Sequence, residues 1–363
     1  MKHSIFSLRS ILFIFIVISS NTISNVIAQE AQQEKNKETG KYLGAKTATH
    51  PNWFKESFLD LDEDIADATA ANKRLVLYFW QPGCPYCSQL WEDNFSQKEI
   101  ETKFRNNFEI VAMNMWGDRD VVSVAGKSYT EKAFAEALGI QYTPTLLFFD
   151  ENKKIIHRLN GYIPPEDFKL SLEYVSGKYE KNQKFGAFSV AQKQQRQAQN
   201  KTTKKLHSED FFSQKITDLN HTKQAEEKYL AVFFEEDNCK NCDLLHQKTL
   251  KDPATRALIK QFKSVQYNRY AETPIITPSG EKTTVKEWAN QLGIAYLPAI
   301  IFFNQNGKEV MRIDVQMRTF HIQSVFDYVL TEAYKTEKNF QRYISARADK
   351  IREKGIDTDI WAY

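Results

Sequence analysis

All four cysteines of the chain fall into two Cys-x-x-Cys pairs, Cys84/Cys87 and Cys239/Cys242. Thiol–disulfide exchange needs an attacking thiolate, a second thiol near enough to resolve the mixed disulfide, and exposure of the first thiol only. Cys-x-x-Cys at a helix start meets all three within one turn, because unpaired backbone N–H groups and the helix dipole favour a thiolate there. Cys84 is therefore expected to be the nucleophile and Cys87 the resolving thiol. Pro85, early in the helix, sacrifices no hydrogen bond. Tyr86 lies between the thiols, where it would influence potential and docking. The rival chemistry is a four-thiolate zinc site, whose pairs usually lie ~15–20 residues apart. Here 151 residues separate Cys87 from Cys239, so neither a metal nor a cofactor is expected.

The elements around Cys84 suit that chemistry. Leu75–Trp80 reads as an apolar strand that breaks at Pro82-Gly83 and empties into the cysteines, and Ser88–Asp93 continues as helix. Asp60–Lys73 reads as a helix, Phe108–Met115 as a strand, Trp116–Ser128 as a loop, and Thr130–Leu138 as a helix capped by Thr130. In Gly139–Asp150 a turn and Pro144 precede another apolar strand. A proline cannot sit mid-ladder without losing a bond, so Pro144 is expected to turn the chain beside the cysteines. The backbone of Thr143 would then be free to pair with an extended substrate. Ile155–Leu159 (strand) and Pro165–Ser176 (helix) close the unit. Such alternation predicts an α/β layer with a mixed sheet flanked by helices.

The same order returns downstream. Tyr229–Phe234 is a strand, Asn238–Cys242 opens a helix, Ser264–Tyr270 and Thr284–Leu292 follow, and Leu297-Pro298 precedes a last apolar run. First cysteine to proline spans 60 positions in one copy (Cys84 to Pro144) and 59 in the other (Cys239 to Pro298). A repeat this long marks domain duplication rather than a solenoid, with domains at 51–180 and 207–334. Whether the second pair is competent stays open. Glu235, Glu236 and Asp237 precede it and would raise a thiol pKa, while Lys240 pulls the other way. His246, one turn after Cys242, reads as a packing or surface residue rather than a metal ligand.

Charge is balanced at +3 and would fall to +1 without Lys2 and Arg9. That gives no reason to expect nucleic acid or an anionic membrane as partner. Residues 1–28 read as a cleavable leader: a basic start, eight apolar residues from Ile11 to Ile18, and Val26-Ile27-Ala28 as cleavage site. The apolar run is too short to span a bilayer, so no stable membrane insertion is expected. The leader is bacterial in style and points to the periplasm. Residues 29–50 read as a loose N-terminus. Residues 181–206, with seven basic and no acidic residues from Lys181 to Lys205, read as a solvated, partly helical linker. Residues 335–363 read as a helical tail whose aromatic end docks on its own domain.

A strand, Cys-Pro-Tyr-Cys on a helix, then Tyr-Thr-Pro144 before a strand resembles the thioredoxin superfamily. With Gly126-Lys-Ser, Leu138-Gly-Ile and Asn160-Gly-Tyr162, the first copy is similar to the secreted bacterial thioredoxins of the SoxW-like group; the likeness covers Asn52 to about Lys178 well and His207 to about Leu330 more loosely. The resemblance implies two tandem thioredoxin-like domains and a periplasmic thiol–disulfide oxidoreductase with a cis proline at Pro144. Its partners would be periplasmic proteins carrying disulfides or thiols, together with an electron donor. Reduction is the favoured direction, with oxidation or isomerisation, or a client-binding module with structural disulfides, as alternatives. There are two departures from the family pattern. Tyr78, and Phe233 in the second copy, stand where thioredoxins commonly bury an aspartate, and Gly83 replaces the usual tryptophan.

Overall fold

A computed structural model of the chain describes residues 38–47, 50–197, 205–213, 216–220 and 228–363. The expected leader lies outside the described residues. Residues 38–42 and 348–358 belong to a small unit of their own. Within it the Gly40 and Thr358 amides donate to the carbonyls of Arg352 and Lys41, each at 2.8 Å. The two repeats lie in the other unit.

The first repeat is built on β1 (Arg74–Trp80), whose residues 74–79 are all buried. Period-two alternation splits them between the two faces. Leu75, Leu77 and Phe79 pack with Val111, Met113, Leu147 and Phe149. Val76 and Tyr78 face the side that holds Cys84, Cys87, Phe104 and Phe168. A central strand covered on both faces reads as one apolar run. It pairs in parallel with β2 (Phe108–Asn114) and antiparallel with β5 (Thr145–Phe149), which pairs antiparallel with β6 (Ile155–Asn160). The sheet order is β2-β1-β5-β6.

Around the sheet lie α1 (Leu61–Ala70), α2 (Pro85–Gln89), α3 (Lys98–Asn107), α4 (Glu131–Ala137) and α5 (Pro165–Ser176). Helix α2 continues as one π-helical stretch, Leu90–Phe95. Asp60 caps α1 by accepting from the Asp62 and Glu63 amides, and Thr130 caps α4 by accepting from Ala133 N–H at 3.2 Å. The expected loop at 116–128 is in part a hairpin, β3 (Asp120–Val122) against β4 (Ser128–Thr130). Strands of three residues are too short to show an alternation.

Helix α6 (Phe185–Gln197) corrects the reading of 181–206 as a solvated linker. Phe188 is 1% exposed and belongs to the first domain's core. Phe185 stands against His157 and Tyr174 at ring distances of 4.4 and 5.2 Å. Burial of Phe188 and the packing of half-buried Phe185 against the same core outweigh the glutamine-rich composition that suggested solvent. A ring buried like Phe188 is worth ~3–5 kcal/mol against alanine.

The second repeat reproduces the layout. Strand β7 (Leu230–Glu235) is central, parallel to β8 (Lys263–Asn268) and antiparallel to β11 (Ala299–Phe303), which pairs with β12 (Glu309–Ile313). Its hairpin is β9 (Pro274–Ile276) with β10 (Lys282–Thr284). The helices are α7 (Lys240–Gln247), α8 (Pro253–Ile259), α9 (Val285–Gln291) and α10 (Thr319–Leu330). The mixed α/β class expected from the sequence holds in both copies. Helix α11 (Phe340–Arg352) follows, and its start bridges the two domains: Phe340 meets Tyr142 of the first at 5.7 Å and Tyr328 of the second at 5.2 Å.

Candidate active site

Each Cys-x-x-Cys pair is a disulfide, Cys84–Cys87 and Cys239–Cys242. In both, the first cysteine is the helix N-cap, and its sulfur accepts the amide of the second cysteine at 3.0 Å. The strand before it ends four residues upstream, so the chain leaves the sheet edge and enters α2 or α7 with the sulfur at the helix's positive end. Pro85 stands in the first turn of α2, where it needs no N–H partner.

The structure brings the predicted residues of each copy together. Thr143–Pro144 and Leu297–Pro298 are cis peptides. The Thr143 carbonyl oxygen lies 3.6 Å from Cys84 Sγ, and the Pro144 carbonyl accepts Gly161 N–H at 2.6 Å. Thr143 is buried, so its backbone is not open to an extended substrate in this state. Leu297 and Pro298 line a cavity of about 40 Å³ with Asn241 and Leu244 of α7 and Ile163 and Pro164 of the first domain.

Exposure departs from expectation. Cys84 is 2% exposed and Cys87 1%, while Cys239 is 8% and Cys242 1%. The reason is what meets Tyr86. Its hydroxyl accepts Arg318 N–H at 2.8 Å and lies 3.2 Å from His321 Nδ1. Trp361 stands edge-on to its ring at 5.0 Å. The second domain and the tail thus close on the residue between the first pair of thiols. Contacts flank this point. Gln316 N–H donates to the Tyr162 carbonyl at 3.2 Å, and a Cβ on Gly161 would come within 3.0 Å of Val315. Residues 161/315 and 162/316 are equivalents in the two repeats, so the face is built like an isologous interface. Asn241 takes the place that Tyr86 fills in the other half, and the cavity stands beside it.

Behind the cysteine helices the copies diverge. In the first, Tyr78 takes the place where thioredoxins commonly bury an aspartate. It is ringed by His50 and Phe54 at 5.6 and 5.8 Å, and burial pushes its hydroxyl pKa far up. In the second, His246 is buried with Nε2 2.9 Å from Glu235 and Nδ1 3.0 Å from Glu209. Desolvation lowers its pKa, but the two carboxylates outweigh it and the net shift is upward. Glu235 also accepts from Gln266 at 3.1 Å, and Glu209 from Arg256 at 3.1 Å. Glu235 is therefore not a surface charge beside the thiols but half of a buried pair. Neither this triad nor the Arg318–Trp361 contact was legible beforehand; only the spacing of His246, one turn after Cys242, hinted at the former. Among the described residues no cluster of three or more His, Cys, Asp or Glu is placed to hold a metal ion. Nor is any described helix long and apolar enough to cross a membrane.

The thioredoxin-like domain model matches the chain twice, at residues 61–176 and 217–330. That is more than half its length, and the chain belongs to this family. Two such domains, each presenting a Cys-x-x-Cys disulfide at a helix start, define a thiol–disulfide oxidoreductase. Solved structures similar to it include a thioredoxin-fold protein from Helicobacter pylori, with 15% identity and TM-score 0.34, covering 39% of this chain and 92% of that one. The C-terminal domain of DsbD from Neisseria meningitidis, in the oxidised form, shares 19% identity at TM-score 0.23, with 33% and 89% covered. The first two thioredoxin domains of Eps1p from Saccharomyces cerevisiae share 11% at 0.24, with 71% and 89% covered. A comparison with curated proteins gives no match.

Proposed function

We propose that the first domain's pair is the working dithiol and that it reduces disulfides of exported proteins in the periplasm. The observation that carries this reading is the setting of Cys84. Its sulfur caps a helix, accepts the Cys87 amide at 3.0 Å and faces the Thr143 carbonyl at 3.6 Å. In the reduced protein the Cys84 thiolate attacks one sulfur of the substrate disulfide, forming a mixed disulfide and releasing one substrate thiolate. Cys87, deprotonated, then attacks Cys84 Sγ, releasing the second substrate thiolate and closing the disulfide. Two electrons pass to the substrate and the two protons from the cysteines end on its thiols. A donor dithiol restores the pair. The periplasmic setting rests on the basic and apolar pattern of residues 1–28.

Cys84→Ser should abolish insulin reduction by the full chain in a dithiothreitol-coupled assay. Unchanged turnover would move the activity to Cys239/Cys242. Direction is read from the potential of each pair equilibrated with glutathione. A value near about −270 mV supports reduction, one near about −120 mV supports oxidation, and one below about −300 mV supports a structural disulfide.

A further inference from the structure

The closure over Tyr86 is built from two segments far apart in sequence. Leu43–Lys46 runs across the loop before the cysteines: Lys46 N–H donates to the Gly83 carbonyl at 3.4 Å, and Ala45 lies against Gly83. Ile360 N–H donates to the Leu43 carbonyl at 3.0 Å, joining Ile360–Tyr363 to it. Gly44, at φ +86°, sits where a Cβ would meet Trp361 Cβ at 2.7 Å, so only glycine lets the two strands approach this closely. Asp359 fixes the turn by accepting the Trp361 and Ala362 amides at 2.8 and 3.0 Å.

One side chain pins this assembly to the second domain. The Arg318 guanidinium stands 4.5 Å from the Trp361 ring centre and 3.7 Å from that of Tyr363, while its own backbone N–H holds the Tyr86 hydroxyl. Gln316 Nε2 adds a hydrogen bond to the Tyr363 hydroxyl at 3.2 Å. Apart from buried Ile360, the covering segments are half-exposed or exposed, and Leu43 is among the exposed large apolar residues. They have little core of their own to hold them, whereas the site beneath is buried. Elements with few buried apolar contacts are the ones that open at low cost.

We propose that Leu43–Lys46 and Ile360–Tyr363 form a cover over the first redox site, clamped by Arg318, which lifts before Cys84 meets a substrate. The proposal rests on Cys84 as the working thiol, but its test reads access rather than turnover. The fully reduced chain is pulsed with iodoacetamide, and the alkylation rates of Cys84 and Cys239 are read separately by mass spectrometry. Arg318→Gln, Trp361→Ala and truncation after Asp359 should each speed alkylation of Cys84 about fivefold or more, as loss of a cation–π clamp would. Cys239 should keep its wild-type rate in Arg318→Gln and Trp361→Ala; the truncation also removes Tyr363, which lines the cavity beside Leu297 and Pro298. An unchanged Cys84 rate in all three variants overturns the cover, and so does equal acceleration at Cys239 in the two point variants, which would mean general loosening. Faster alkylation of Cys84 in a chain that reduces no insulin would sink the catalytic reading and leave the cover standing.

Discussion

Behind the first cysteine helix lie rings, and behind the second lie charges. Trp80 and Glu235 occupy the same register, each ending a central strand four residues before a first cysteine. In the first domain Trp80 meets His50 at 4.6 Å within a cluster that includes Phe54, Tyr78 and Phe95. In the second, Glu235 turns inward to His246, whose ring stacks on His207 at 4.4 Å, and His207 pairs with Asp243 at 2.5 Å. The backbone scaffold is shared, yet one copy is stabilised there by apolar packing and the other by a network that works only when every member is present. A buried ion pair is weak evidence for stability but a sensitive point of failure.

The largest test of the contrast follows from that asymmetry. Glu235→Ala leaves His246 buried against Glu209 alone and should cost ~3–5 kcal/mol in urea unfolding, the usual penalty for stranding half of a buried pair. Glu235→Gln, which keeps an acceptor oxygen, should cost clearly less. A loss below about 1 kcal/mol for alanine would class the network with surface pairs and remove the distinction.

A second test uses pH, because His157 of the first domain and His246 of the second are buried with opposite preferences. His157 sits among Phe148, Tyr174 and Phe185 with no hydrogen-bond partner at Nε2 among the described residues. Burial lowers its pKa from the ordinary 6.5 to about 3. Its contribution is present above pH 6.5 and is lost as pH falls from there toward 3, a loss on the order of a few kcal/mol. His246 is shifted the other way, so its contribution is full below pH 6.5 and is lost as pH rises through the higher folded value. Melting temperature against pH should show both limbs in the wild type. His157→Phe should reduce the acid limb, to which His321, lowered by burial to about 4, also contributes, and His246→Gln should flatten the alkaline one. If either variant flattens the opposite limb, the assignment of the two environments is wrong.

How far such features could be read in advance depends on how local they are. The cysteine pairs, the prolines and the duplicated order of strands and helices are written in short stretches with fixed spacing, and they appear in the fold where expected. Helix α6 was hidden because Phe185 and Phe188 stand at the edge of a glutamine-rich run, and composition outvoted two rings. Glu235 read as a charge beside the thiols. Its partners lie 11 residues later at His246 and, for that histidine, 37 residues earlier at Glu209, and no local pattern links them. The closure of Arg318 and Trp361 on Tyr86 is likewise tertiary, and it explains why a thiol expected at the surface is buried.

Tyr78 provides the smallest and sharpest test of the contrast. It stands where a carboxylate would accept a proton from the resolving thiol, yet burial holds its hydroxyl protonated far above neutrality. An unionised phenol in a ring cluster cannot act as that base, so Cys87 must lose its proton to solvent or to the departing substrate thiolate. Tyr78→Phe should then leave both the rate and the pH dependence of insulin reduction close to wild type, since a hydroxyl that never ionises takes no proton in the reaction. A displaced pH profile would show that the tyrosine handles the proton after all. The aromatic cluster would then be part of the chemistry of the first site rather than its packing.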